Sequence, residues 1–351
     1  MQHFTVARDL SRGHAPVWPQ SRWVYSVFPP SQYAAQVVTL WIGRAFAPDP
    51  GIHWARLGSI LLGVLGTVLI ARAAGRVTRD PRAGLLAGTA AALYPQYAFV
   101  TAYCNADAYT IFAGLLLIDA LATWVALGEG SAGLPYVGAA AGVVLSAKST
   151  AFYLLPLGAL WVWSRRPPLR SVLAAVVLAA AVALPWLAWN AARTGGDALG
   201  VELYRKYMAE VWHPRTLLQV RGGLADFASL MASSAIGVFG NMSLPLPRFQ
   251  LWLVGALIAA GSIVSAANRP WSRPARFIAG AAVLNVLSEL AKCILIDFSP
   301  QGRHVLVPVL LLTAVALIGP ARRWPRWPYP FLAILAMAAA TMEWQLATRG
   351  R

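Results

Sequence analysis

The sequence predicts an all-α fold: a polytopic bundle of about ten transmembrane helices, with juxtamembrane helices and one large loop on a single face. Three observations predict it. Apolar residues make up 58% of the chain and charged residues only 12%, about half the charged share of a soluble domain. Apolar runs of about twenty residues recur, each long enough to cross ~30 Å of hydrocarbon. The charges that do occur fall mainly between those runs.

Taken in order, the expected spans lie near 53–76, 83–102, 106–127, 134–147, 150–164, 171–190, 250–267, 276–296, 303–320 and 329–346. The pair at 134–164 is short and is divided at "AKST" (147–150), where Lys148 interrupts the apolar pattern. Two polar stretches stand apart, residues 1–52 and 191–249. With no internal repeat and no Gly/Ser linker, the chain reads as a single integral-membrane domain, 1–351.

Alternate loops differ in charge, and that difference orients the bundle. Arg72, Arg76, Arg79, Arg82, Arg165, Arg166, Arg170, Arg269, Arg273, Arg276, Arg322, Arg323 and Arg326 belong to one set, whereas the opposite short loops hold only Lys148 and Arg303. Basic loops stay cytoplasmic, so the second set faces outward. Asp107, Lys148, Asp297, Arg303 and all five histidines (His3, His14, His53, His213 and His304) then share the outer face. This convergence is the main sequence argument for a site. The net charge of +16 is scattered between apolar runs, which fits topology signals and lipid headgroup contacts and excludes nucleic acid as a partner.

Individual residues carry two readings each. Asp107, in "NADAY", either caps its helix, with Asn105 as N-cap, or serves a ligand, as ionisable groups at membrane depth tend to do. Lys148 either snorkels to the interface or meets an anion such as a phosphate. Gln301, Gly302, Arg303 and His304, in "SPQGRHVLVP", are either an interfacial anchor or a phosphate clamp in which Gly302 permits an unusual turn. Glu289 and Lys292 are spaced to pair with each other as a structural ion pair, and Asp119 is expected to face neighbouring helices as a hydrogen-bonded packing residue. Cys104 and Cys293 read as small hydrophobes. The sequon Asn241-Met242-Ser243 is given no weight, since chance matches are common.

Several segments, in order, resemble bacterial GT-C glycosyltransferases of the protein-mannosyltransferase and aminoarabinose-transferase type. "SVFPPSQYAAQ" (26–36), carrying Tyr33, is similar to a Pro-Pro-Leu-Tyr-Tyr segment of that family. "WARLGSILLGVLGTVLIARAAGRV" (54–77) is similar to the Arg-Leu helix that follows it. "YCNADAYTIFAGLL" resembles an Asp-Ala helix mouth and "GVVLSAKSTAFYLLP" a Leu-Thr-Lys break. "WNAARTGGDALG" and "SAIGVFGNMSLPLP" are similar to two outer-loop motifs, and "QGRHVLVPVL" to a Gln-Gly-Arg-Tyr motif.

The resemblance implies an inverting transfer of a sugar from a polyprenyl-phosphate donor to a glycan, lipid or protein acceptor, at the outer face of the cytoplasmic membrane. A general base would take the acceptor's proton. Lys148 and Arg303 would hold the phosphate, with Gln301, His304 and Tyr33 around the donor, and Asn105 and Asp107 would position the donor or a divalent ion, with His3 as a further metal ligand. No other cofactor is implied. The relatives carry a catalytic Asp-Glu shortly before a His-Phe, here His3-Phe4, which puts that acid and a first span upstream of Met1. A transporter or lipid flippase is the alternative from another class, and an inactive GT-C-like scaffold in envelope assembly a third.

Overall fold

The computed structural model describes residues 2–15, 17–21, 24–128, 132–239, 243–267 and 272–349. Arg269, and Asn241 and Met242 of the sequon, lie outside them. Within the described residues the chain is almost wholly helical: α1 (Gln2–Ser11), α2 (Ala34–Gly43), α3 (Ile52–Thr78), α4 (Pro81–Ala92), α5 (Pro95–Ala102), α6 (Asp107–Ala126), α7 (Leu134–Leu145) and α8 (Leu154–Ser164) form its first part. Then come α9 (Leu169–Thr194), α10 (Val201–Tyr207), α11 (Gly223–Gly237), α12 (Arg248–Ala266), α13 (Ser272–Leu295), α14 (Leu306–Ala321) and α15 (Pro328–Arg349).

Helices form wherever the sequence expects spans, and seven of them are long and apolar enough to cross a membrane. The expected span at 83–102 is instead two helices. Pro95 brings no N–H and its ring disfavours helical backbone at Tyr94, which adopts φ −72°, ψ 114°. The runs at 134–147 and 150–164 are likewise shorter than a full crossing, as α7 and α8.

α6 and α14 are the most enclosed of the long helices, with Trp124, Leu115 and Leu117 of the former and Leu306, Ala316 and Leu317 of the latter almost fully buried. α9 is the opposite case. Leu173, Val176, Val177 and Leu184 are exposed on an apolar helix, the composition of a lipid-facing surface. It packs closely on α7 because Gly138 and Gly142, one turn apart, bring the α7 backbone against Ala175 and Ala179, the small-residue contact that membrane helices use.

Asp119 is buried between helices, as expected, but as the centre of an ion-pair cluster rather than of a neutral hydrogen bond. Its oxygens accept from Arg76 at 2.7 Å and Tyr136 at 3.0 Å, and Arg72 lies 3.4 Å away. The stretch 191–249 is also more ordered than a loop: it contains α10, α11 and a two-stranded hairpin, β1 (Val238–Phe239) with β2 (Leu244–Pro245). Its start is fastened to the Pro-Pro segment. Asn190 donates to the carbonyls of Val27 and Ala198, Arg193 donates to Phe28, and Asp197 accepts from the backbone N–H groups of Val201 and Leu203. Gly200, at φ +71°, sits where a side chain would strike the Val27 carbonyl. The residues of the "WNAARTGGDALG" motif are therefore a knot between α9 and residues 26–28.

Candidate functional site

The site is built at the joint between α5 and α6. Tyr103 leaves α5 in extended conformation, and the chain re-enters helix at Asp107. Asn105 makes this turn: its Oδ1 accepts from the Ala108 N–H at 2.9 Å, and its Nδ2 donates to the carbonyls of Val100 and Tyr103. Both amide donors are thereby spent on backbone, so Asn105 braces the joint. The capping role divides accordingly, with Asn105 satisfying a first-turn N–H and the Asp107 carboxylate left for other partners.

Those partners are two cations that stand isolated in the sequence, Lys148 and Arg303. Lys148 Nζ lies 3.1 Å from Oδ1 of Asp107 and Arg303 Nε 3.1 Å from Oδ2. Lys148 reaches this point because the α7 helix stops at Ser146, whose carbonyl accepts from the Ser31 hydroxyl at 2.6 Å and whose hydroxyl bonds Tyr109 at 3.0 Å. Arg303 is presented by a 3-10 turn, Gly302–Val305. That turn is set by close approach: the Gly302 N–H donates to Ser234 Oγ at 2.7 Å, and a Cβ there would overlap the backbone of Ala235. Gly302 is needed for space rather than for a left-handed conformation. Arg303 also donates from Nη1 to the Tyr103 hydroxyl at 3.1 Å.

The side chain of Asp107 is 5% exposed, while those of Lys148 and Arg303 keep 14% and 23%. Asp107 is thus sealed in and the cations retain accessible surface. Two cations against one carboxylate leave a net positive charge in a partly dry place, which suits an anion. Each oxygen of Asp107 already faces a cation, and among the described residues no three His, Cys, Asp or Glu side chains group as metal ligands.

A small cavity adjoins this cluster, lined by Asp107, Thr110, Thr150, Tyr153, Arg303 and His304 among others. His304 Nδ1 lies 3.0 Å from both carboxylate oxygens of Glu289. An ionised carboxylate only accepts, so Nδ1 carries a proton, and in the neutral ring Nε2 then keeps a lone pair. His304 Nε2 and the Tyr153 hydroxyl are buried without hydrogen-bond partners, as is the Gln301 carbonyl oxygen. Such groups in a buried site call for a ligand or water. Glu289 does pair with Lys292, at 2.8 Å, but its second contact joins that pair to the site.

His3 comes to the same region from α1. Its ring stacks on Tyr25 with centroids 4.2 Å apart, and Nδ1 bonds the Tyr33 hydroxyl at 2.8 Å. Burial lowers the His3 pKa from 6.5 to about 3; the Asp107 charge offsets part of this, and Lys148 and Arg303 add to the lowering. Burial likewise raises Tyr33 well above its ordinary range. Sequence reasoning did not single out Tyr103, Tyr153 or Tyr25. Next to Tyr33, Gln32 is also fully buried with neither amide atom bonded.

The family model described as dolichyl-phosphate-mannose-protein mannosyltransferase matches residues 39–189, a stretch that includes Asp107 and Lys148. Among solved structures, ArnT from Cupriavidus metallidurans in the apo state aligns at TM-score 0.52 and 17% identity, over 93% of this chain and 56% of its own. The apo oligosaccharyltransferase of Archaeoglobus fulgidus aligns at TM-score 0.50 and 14% identity, over 99% of this chain and 50% of its own. No curated protein sequence matches. The chain is therefore a multi-pass helical membrane protein, and its fold is that of the GT-C glycosyltransferases. It spans about half the length of the solved structures it matches.

Proposed function

We propose that the chain acts as a GT-C membrane glycosyltransferase, taking its sugar from a polyprenyl-phosphate donor at the outer face of the cytoplasmic membrane. The observation that supports this reading is the meeting of Lys148 and Arg303 on Asp107, from elements far apart in sequence, with one more cation than anion. A phosphate leaving group gains negative charge as the glycosidic bond breaks. Cations fixed in a low-dielectric site stabilise that charge with little reorganisation. The prenyl tail stays in the bilayer while its phosphate reaches the helix mouth.

An acceptor hydroxyl, on a glycan, lipid or protein, attacks the anomeric carbon from the side opposite the phosphate, and the configuration inverts. Its proton passes to a general base. Among the described residues the candidate is His304 Nε2, with Glu289 behind the ring at Nδ1. Gln301 offers its unpartnered carbonyl oxygen to a sugar hydroxyl. Tyr33 holds His3 at the rim. In this reading the two cations carry the charge stabilisation that a divalent ion at Asp107 and His3 would otherwise supply.

The test is binding of a short-chain polyprenyl phosphate, against the matching polyprenol, to the full chain in lipid nanodiscs. The phosphate is expected to bind more tightly, and Lys148→Ala and Arg303→Ala each to weaken it about ten- to hundredfold, the worth of one charge-assisted bond. Equal affinity for phosphate and alcohol, or no effect of either substitution, would remove the basis for the assignment.

A further inference from the structure

The break at Lys148 and the turn at Gly302 bring more to this region than their two cations. Tyr153 lies just beyond Lys148, where α8 begins, and His304 follows Arg303 in the same 3-10 turn. Both line the small cavity beside Asp107. Tyr153 is 8% exposed and the His304 side chain 5%. Among the described residues, neither the Tyr153 hydroxyl nor His304 Nε2 has a hydrogen-bond partner. A buried polar atom without a partner costs free energy, and here two of them belong to the walls of one hollow.

The size of the hollow narrows what could pair them. Its volume is about 10 Å³, close to the ~10–15 Å³ that a single water requires. A sugar ring or a phosphate is too large. The lining also favours a neutral occupant: Asp107 and Arg303 both border the cavity, so an ion of either sign would meet a like charge. Water suits the two orphaned atoms in either protonation state, since it donates to a bare ring nitrogen, accepts from a protonated one, and does both with a hydroxyl. Thr110, also in the lining, offers a third contact. Its hydroxyl proton is spent on the Ala106 carbonyl at 3.0 Å, which leaves the oxygen able to accept, and buried waters typically make about three bonds.

We propose that this cavity holds one ordered water bridging the Tyr153 hydroxyl and His304 Nε2, and that Tyr153 thereby positions the His304 ring. Glu289 holds the ring at Nδ1 and the water holds it at the other nitrogen, so the ring cannot turn over without breaking bonds at both ends. Nε2 then stays directed at the cavity that Asp107 and Arg303 share. Tyr153 matters to sugar transfer only if His304 is the base, whereas the water site stands without that reading.

Tyr153→Phe keeps the ring and removes the hydroxyl. If the hydroxyl were dry, its loss would relieve an unpaired group and raise the melting temperature of the full chain in nanodiscs. If it holds the water, its loss strands both the water and Nε2, and melting is expected to fall by a few degrees. Nitrogen NMR of the same chain, labelled at histidine, adds a readout that packing alone does not move. The His304 signal is assigned by its absence from His304→Gln. Its Nε2 resonance is expected to receive polarisation from water protons in the wild type and to shift in Tyr153→Phe. If Tyr153→Phe does not fold, the transfer from water in the wild type decides alone. A melting temperature unchanged or raised, an Nε2 resonance that stays in place, or no transfer from water to Nε2 overturns the proposal. A chain that meets all three expectations, yet binds polyprenyl phosphate and polyprenol equally, keeps the water site and loses the transferase reading.

Discussion

Asp107, Lys148 and Arg303 depend on one another for their charge. Removing one member of a buried pair leaves a charge unmatched, at about 3–5 kcal/mol, more than the pair itself contributes. Asp107→Asn is therefore expected to lower stability by about 3 kcal/mol, toward the low end because both cations keep some exposure. Asp107→Asn with Lys148→Met should cost less than the sum of the single changes, which thermal unfolding of the four proteins would reveal as a coupling. His3 gives a prediction in pH. Its pKa falls from 6.5 unfolded to about 3 folded, so between those values the unfolded chain binds more protons and stability drops as pH falls. Above pH 6.5 the residue contributes no slope. His3→Gln should flatten the stability profile between pH 4 and 6.5 and leave its slope at pH 8 unchanged. These residues were legible because lone charges in an apolar sequence are conspicuous. Tyr103, which bonds Arg303 across 200 positions, was not, since nothing in an aromatic at a helix end announces a distant guanidinium.

Helices and turns carry the next level of the argument. Gly302 lets the Arg303 turn rest on the α11 backbone, and Gly302→Ala would push the two apart. The expected cost is about 1–3 kcal/mol from overpacking, together with weakened polyprenyl-phosphate binding, because Arg303 would move with the turn. Gly302→Ala that keeps both wild-type melting and wild-type binding would show that the contact is slack. Apolar runs found the helices, since hydrocarbon thickness dictates their length. Hydropathy alone did not see the break at Tyr94–Pro95, because an averaged window reports how oily a stretch is and not whether its backbone can continue. It also passed over α11, whose half-exposed apolar residues sit in a stretch that reads as polar. Gly302 was recognised as special, but a sequence cannot distinguish a glycine needed for its torsion angles from one needed for its small size.

For the molecule as a whole, the asymmetry of charge between the two ends leads to a prediction of sidedness. Cys104 and Cys293 are both buried, so introduced thiols would report cleanly. Glu202→Cys, on exposed α10, should react with an impermeant reagent in intact cells, and Arg326→Cys, between α14 and α15, only after lysis. Labelling of both from one side would undo the outward placement of the site. The ties described above also bear on how such a molecule could move. Lys148 travels with α7 and the lipid-facing α9, while Arg303 is fastened to α11, which Tyr94 and Gln96 in turn pin to α5. One carboxylate clasps these separately mounted halves. A guest that offered its own negative charge to both cations would unfasten that clasp as it arrived, so admission of the guest and loosening of the mouth would be a single event.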